Sequence, residues 1–188
     1  MSAAPETVDA LLEALFRRAD DGTPLDAYAV LDGARNPRIA EWIGRRAMDY
    51  TCLWAGRLDP ALREVAPYLV HLHRREPFTR ELLERMWGDS WGVFATANAT
   101  MEQLRVHFRR LLRVRDERGR RLLFRWYDPR VLRVYLPTCT AAELGEMFGP
   151  VERLFAEAEG AAELTSFRRV GVTLETLAIP VLPPPDAG

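Results

Sequence analysis

Lysine is missing from this chain. Its positive charge rests on 26 arginines against 27 acidic residues, for a formal net charge of −1 and a pI near 6.3. A total so close to neutral gives no long-range attraction to nucleic acid or to an anionic membrane. Arginine makes bidentate and stacking contacts that an ammonium cannot, but a coding bias of a GC-rich genome, which also favours alanine, accounts for the composition more simply. Cysteine is scarce as well. Cys52 and Cys139 lie far apart and match no metal or redox spacing, so free thiols in a reducing compartment are expected. No apolar run approaches the roughly 20 residues that cross a bilayer. The first twenty residues are acidic and amphipathic, without the basic start and apolar run of a secretory signal. No Gly-rich phosphate loop and no internal repeat occur. These absences point to a cytoplasmic protein that binds neither membrane nor nucleic acid.

What is present suits one folded domain: 188 residues, 48% hydrophobic and 28% charged. Val8, Leu11, Leu12, Leu15 and Phe16 recur at helical spacing opposite charged residues, so an amphipathic helix opens the chain. Tyr28 to Leu31 reads as a strand closed by the turn pair Asp32-Gly33, and Asn36-Pro37 as the cap and first residue of a helix. Short apolar runs at Thr51 to Ala55 and Tyr68 to Leu72 predict two further strands. Phe78 to Trp87 reads as a helix and Trp91 to Thr96 as a strand. Thr100-x-x-Gln103 and Thr140-x-x-Glu143 are capping boxes at the heads of helices, the second ending at Phe148-Gly149-Pro150. Between them, Arg113 to Arg115, a turn through Asp116 and Gly119, and Leu122 to Tyr127 predict a hairpin, after which Asp128-Pro129 starts a short helix. Val151 to Thr176 predicts edge strands around Glu159-Gly160, and Pro183 to Pro185 an extended tail.

Three patterns invite a chemical reading. Gly88-Asp-Ser-Trp-Gly92 fits the G-x-S-x-G elbow of serine hydrolases, but that elbow needs a strand before the serine and a helix after it. Here the order is reversed, and His107 is the only later histidine. A Gly-bent turn is the simpler reading of Ser90. His71 and His73 share a strand face and could join His107 at a metal, yet no Cys, Asp or Glu stands at ligand spacing, so no metal or other cofactor is expected. The arginines from Arg109 to Arg125, with Trp126 and Tyr127 as stacking surfaces, would suit a nucleic acid. Asp116 and Glu117 interrupt them, as on a solvated face. Asp32 and Asp128 each precede Gly or Pro at an element boundary, where turn and cap roles explain them.

Four segments in order carry a resemblance: Tyr28-Ala-Val-Leu-Asp-Gly-Ala34, Ala66-Pro-Tyr-Leu-Val70, Arg125-Trp-Tyr-Asp-Pro-Arg-Val-Leu132 and Phe148-Gly-Pro150. With the Gly-turn hairpin before the third, this set resembles the bacterial type VI secretion adaptor, or effector-chaperone, family, over roughly Asp26 to Leu154. The resemblance implies a cytoplasmic adaptor without enzymatic activity that binds a cognate effector and helps to load it onto the VgrG spike. Its motif residues are Tyr28, Asp32, Gly33, Pro67, Tyr68, Arg125, Tyr127, Asp128, Pro129, Arg130, Phe148, Gly149 and Pro150, in structural or partner-binding roles. Many members of that family continue into a larger carboxy-terminal region, so an edge strand or groove within Leu164 to Ile179 is the expected effector surface here.

The expected architecture is therefore α/β or α+β: a mixed sheet flanked by helices, in a single domain with a short irregular carboxy-terminal extension. An N-terminal helix and linker occupy 1–25, the adaptor domain 26–179 and a Pro-rich tail 180–188. Arg125 or Arg130 is expected to pair with Asp32 or Asp128, tying the hairpin to the first strand. The alternative function is a small serine hydrolase centred on Gly88 to Gly92.

Overall fold

The segment Asp26–Asp32 (β1) is apolar at nearly every position, and all of it beyond Asp26 is buried. A strand without alternation must be covered on both faces. In the computed structural model, which describes residues 3–115 and 118–181, β1 is the middle of a three-layer arrangement. Ala27, Ala29 and Leu31 face one core, and Tyr28 and Val30 face the other. The remaining elements are α1 (Pro5–Leu15), α2 (Ile39–Arg46), β2 (Tyr50–Cys52), α3 (Pro60–Glu64), β3 (Pro67–Leu72), α4 (Pro77–Met86), β4 (Gly92–Ala97) and α5 (Met101–Leu111). There follow β5 (Arg113–Arg115), β6 (Arg121–Leu123), α6 (Pro129–Tyr135), α7 (Ala141–Phe148), β7 (Val151–Glu157), β8 (Glu163–Val170) and β9 (Thr173–Pro180).

Seven strands pair in the order β2-β3-β1-β4-β7-β8-β9, and β5 with β6 makes a separate hairpin. The expectation of an α/β domain with a sheet flanked by helices holds, but the sheet is not mixed: every strand pairing among the described residues is antiparallel. Helices α1, α2 and α4 lay Leu11, Leu15, Ile43, Phe78 and Leu82 on one face. On the other face α5, α6 and α7 contribute Leu104, Phe108, Leu132, Leu144 and Phe148. Helix α1 thus belongs to the core: Val8, Leu11 and Leu15 have no exposed surface.

Both capping boxes form as the sequence predicts, with Thr100 and Thr140 accepting from the backbones of Gln103 and Glu143. Three local expectations need correction. Leu122 to Tyr127 is not one strand, because consecutive strand residues face opposite sides whereas Trp126 and Tyr127 both enter the same core. The chain turns there, the Asp128 N–H donating to the Arg125 carbonyl at 3.0 Å, and β6 ends at Leu123. Asn36 does not cap α2; its side chain accepts from the Arg38 N–H at 3.0 Å in a local turn, and the helix begins at Ile39. Of the run Thr51 to Ala55 only Thr51 and Cys52 are strand, in β2 with Tyr50 before them. Asp116 and Glu117 of the hairpin turn and the Pro183 to Pro185 tail lie outside the described residues.

Candidate functional site

Asp32 is the last residue of β1 and has no exposed surface. A buried carboxylate must be bonded from all sides or it destabilises the fold. Here Oδ1 accepts the Ala34 N–H at 3.0 Å, and Oδ2 accepts the Nη2 of Arg125. That ion pair joins β1 to the segment entering α6, as the sequence predicts for one of the two arginines. Gly33 follows because nothing larger fits: a Cβ there would stand 2.5 Å from the Glu64 carbonyl and 2.6 Å from that of Ala66. Pro67 starts β3 directly opposite Asp32, and the Tyr68 hydroxyl donates to the Arg63 carbonyl at 2.7 Å.

Asp128 is nearly buried and performs the predicted cap. Its Oδ1 accepts the Arg130 N–H at 3.0 Å and Nε–H at 2.9 Å, and its Oδ2 accepts Nη2 at 2.6 Å. Burial pushes its pKa up, but the bonds from Arg130 outweigh this and hold it below the usual carboxylate value. Pro129 takes the first helical turn, where its missing N–H costs nothing. Arg130 therefore serves its own neighbour and ties no distant segment. Tyr127 is buried beside this cluster, its phenol pushed up to about 12 by burial, with the Asp32 carboxylate acting in the same direction.

Two residues of this sheet end were not singled out as partners. Glu157 closes β7, nearly buried, and its Oε2 accepts the Gly88 N–H at 2.9 Å. Its Oε1 accepts both the Ser90 N–H and the Ser90 hydroxyl at 2.8 Å. Arg133 of α6 donates to the Glu157 carbonyl. Only the acid at the end of an otherwise apolar run, Leu154-Phe-Ala-Glu157, signals it in the sequence. Ser90 has φ of 54°, a corner bonded on two of its groups to Glu157. The one histidine later in the sequence is elsewhere: His107 Nε2 lies 3.0 Å from the Met147 carbonyl, between α5 and α7.

Phe148 and Gly149 belong to that second location. Gly149 has φ of 47°, and a Cβ on it would stand 2.5 Å from the His107 ring. Pro150 then leads into β7. Tyr28 is also apart from the Asp32 cluster, its hydroxyl donating to the Ala99 carbonyl at 2.9 Å. Burial lowers the pKa of His107 below its ordinary 6.5. A histidine held neutral in the fold leaves the unfolded chain binding more protons, so stability falls as pH drops through about 6.5 and levels off below the folded value. We expect this component to vanish in His107→Gln, measured by urea unfolding between pH 7.5 and 5.5; an unchanged pH slope would contradict it.

The two other sequence patterns are broken up. Trp126 and Tyr127 are buried and offer no stacking surface to a nucleic acid. Arg109 is spent on the carbonyls of Leu53, Cys52 and Trp54 at 3.0, 3.3 and 2.8 Å. His71 and His73 remain adjacent, with ring centroids 4.2 Å apart, but without His107. At the far side of the sheet, β9 pairs with β8 alone among the described residues. A groove of about 860 Å³ separates it from α1, lined by Phe16, Phe155, Leu177 and Ile179 and rimmed by Arg17, Arg153 and Glu175.

A family model described as DUF4123, a domain of unknown function, matches residues 27–146. The chain belongs to the DUF4123 family. The match runs from the first residues of β1 into α7, so it contains both halves of the Asp32–Arg125 pair and the Asp128 cap. Phe148, Glu157 and the β7-β8-β9 meander fall beyond it. No curated protein and no solved structure matches the chain. Among the described residues, no helix of this DUF4123 protein is long and apolar enough to cross a membrane.

Proposed function

We propose that this DUF4123 protein is a non-catalytic adaptor of a bacterial type VI secretion system, which binds a cognate effector in the cytoplasm and helps to load it onto the VgrG spike. The observation that carries this reading is the family membership over residues 27–146, together with the ordered motifs that resemble the effector-adaptor family. The placement of those motifs supports it. Asp32 and Asp128 are committed to arginines and backbone donors, and their work is to join β1, the hairpin exit and α6. Such a knot suits a scaffold. For the effector we assign the β9 edge and its groove, because the outer backbone groups of an edge strand accept an extended partner segment.

Co-expression with a candidate effector toxin and a VgrG spike protein from the same genome, followed by pull-down and size-exclusion chromatography in low salt, tests the proposal. The expected result is a stable complex with the toxin, lost in Leu177→Glu. Leu177 is 55% exposed, so the charge should leave the fold intact while disturbing anything seated on β9. Recovery of neither partner would overturn the adaptor reading. A complex indifferent to Leu177→Glu would move the docking surface elsewhere. The alternative, a hydrolase centred on Ser90, would instead show an activity of the isolated chain that Ser90→Ala abolishes.

A further inference from the structure

The end of the sheet opposite Asp32 gathers a different set of side chains. There β1 begins, β3 ends and β2 begins. Tyr50 pairs with Val70 in the antiparallel ladder, and the next step of that register sets Asp49 opposite His71; the His71 N–H donates to the Asp49 carbonyl at 3.0 Å. Opposed residues of an antiparallel pair point to the same face. His73 stands two residues after His71, and its N–H is held by Thr79 Oγ1 at 3.0 Å. One ligand atom each from Asp49, His71 and His73 all lie within 4.8 Å of one another.

We infer that Asp49, His71 and His73 bind a single divalent cation of the zinc class. Ligand atoms about 2.0–2.2 Å from a tetrahedral zinc lie roughly 3.3 Å apart, so side-chain rotations of about 1 Å close the set. Asp49 is exposed and free to make that movement. His71 is held in place: its ring stacks on Tyr28 at 4.7 Å, and its Nε2 lies 3.5 Å from Asp26 Oδ1, a carboxylate placed to orient a ligating imidazole. Two imidazoles and one carboxylate favour zinc, nickel or copper over magnesium or calcium, which take oxygen ligands. Three protein ligands leave the fourth position to water. The bound cation ties the start of the short edge strand β2 to the end of β3, a pairing otherwise only three residues long.

The test uses the full chain, purified without a histidine tag and stripped with chelator. Zinc chloride titration by calorimetry is expected to show one equivalent bound, and a hundredfold excess over Kd to raise Tm by roughly 5–10 °C, with magnesium chloride giving neither. Asp49→Asn and His73→Gln, both at positions not fully buried, should each weaken zinc binding about 10-fold or more while leaving the metal-free Tm within a degree or two of wild type. Absence of saturable binding at micromolar zinc would overturn the site. So would a stoichiometry and affinity unchanged in the Asp49→Asn/His73→Gln double variant, which would mark the binding as scattered surface coordination.

Discussion

Arg125→Ala is expected to destabilise the protein by about 3–5 kcal/mol, roughly 10 °C or more in Tm for a chain of this length. The size follows from which partner stays behind. Arg125 is 41% exposed at its side chain, whereas Asp32 is fully buried. Removing the arginine leaves this buried carboxylate with the Ala34 N–H as its one remaining hydrogen-bond donor among the described residues. Asp32→Asn should cost less, about 1–3 kcal/mol, because the amide oxygen still accepts from Ala34 and the guanidinium can turn outward. Arg130→Ala is the control. Its guanidinium is 55% exposed, but the Asp128 carboxyl left behind is only 5% exposed and keeps a single backbone bond, so an intermediate cost of about 1–3 kcal/mol is expected. Urea unfolding of the three variants at pH 7 measures all of this; equal costs for Arg125→Ala and Arg130→Ala would refute the ion-pair account.

The second large effect is expected at Glu157. Its carboxylate takes two backbone N–H groups and one hydroxyl, all from the corner Gly88 to Ser90. Alanine there removes the acceptor of all three donors; Gly88 is exposed and Ser90 half-buried, so water replaces part of it and the cost is about 1–3 kcal/mol. Ser90→Ala loses one of the three bonds and should cost about 1 kcal/mol. Ser90→Gly loses the same bond but relieves a left-handed backbone worth about 1–2 kcal/mol, so it should be close to neutral. This order separates a structural corner from a reactive one. If Ser90→Ala proved as costly as Glu157→Ala, the serine would carry more than one bond of a turn.

Much of the framework was legible because its signals are local. The Thr100 and Thr140 capping boxes, the Asp128-Pro129 helix start and the Asp32-Gly33 turn all act within a few residues of themselves. The hairpin exit failed for a local reason too: Trp126 and Tyr127 look like alternating strand residues until both are found in one core. The partner of Asp32 could be narrowed to two arginines but not chosen. Arg130 sits two residues from Asp128 and closes onto it, which leaves Arg125 to cross the 93 positions to Asp32. Glu157 was missed because its donors lie 67 and 69 residues earlier, in a segment that resembled something else.

The histidines show the same division. Strand spacing alone put His71 and His73 side by side, and the sequence linked them to the wrong third residue. His107 belongs to the α5–α7 interface, while Asp49 reaches His71 through the β2–β3 register. By itself the sequence determined the helices with their caps, the buried strands, the turn glycines and the family to which the chain belongs, since each depends on side chains within one element or on an ordered set of such elements. Only the tertiary structure decided the strand order, the choice of Arg125 for Asp32, the tie of Ser90 to Glu157 and the meeting of Asp49 with two histidines. Those contacts join residues far apart in the chain, and their free energy exists only once the sheet has brought its ends together.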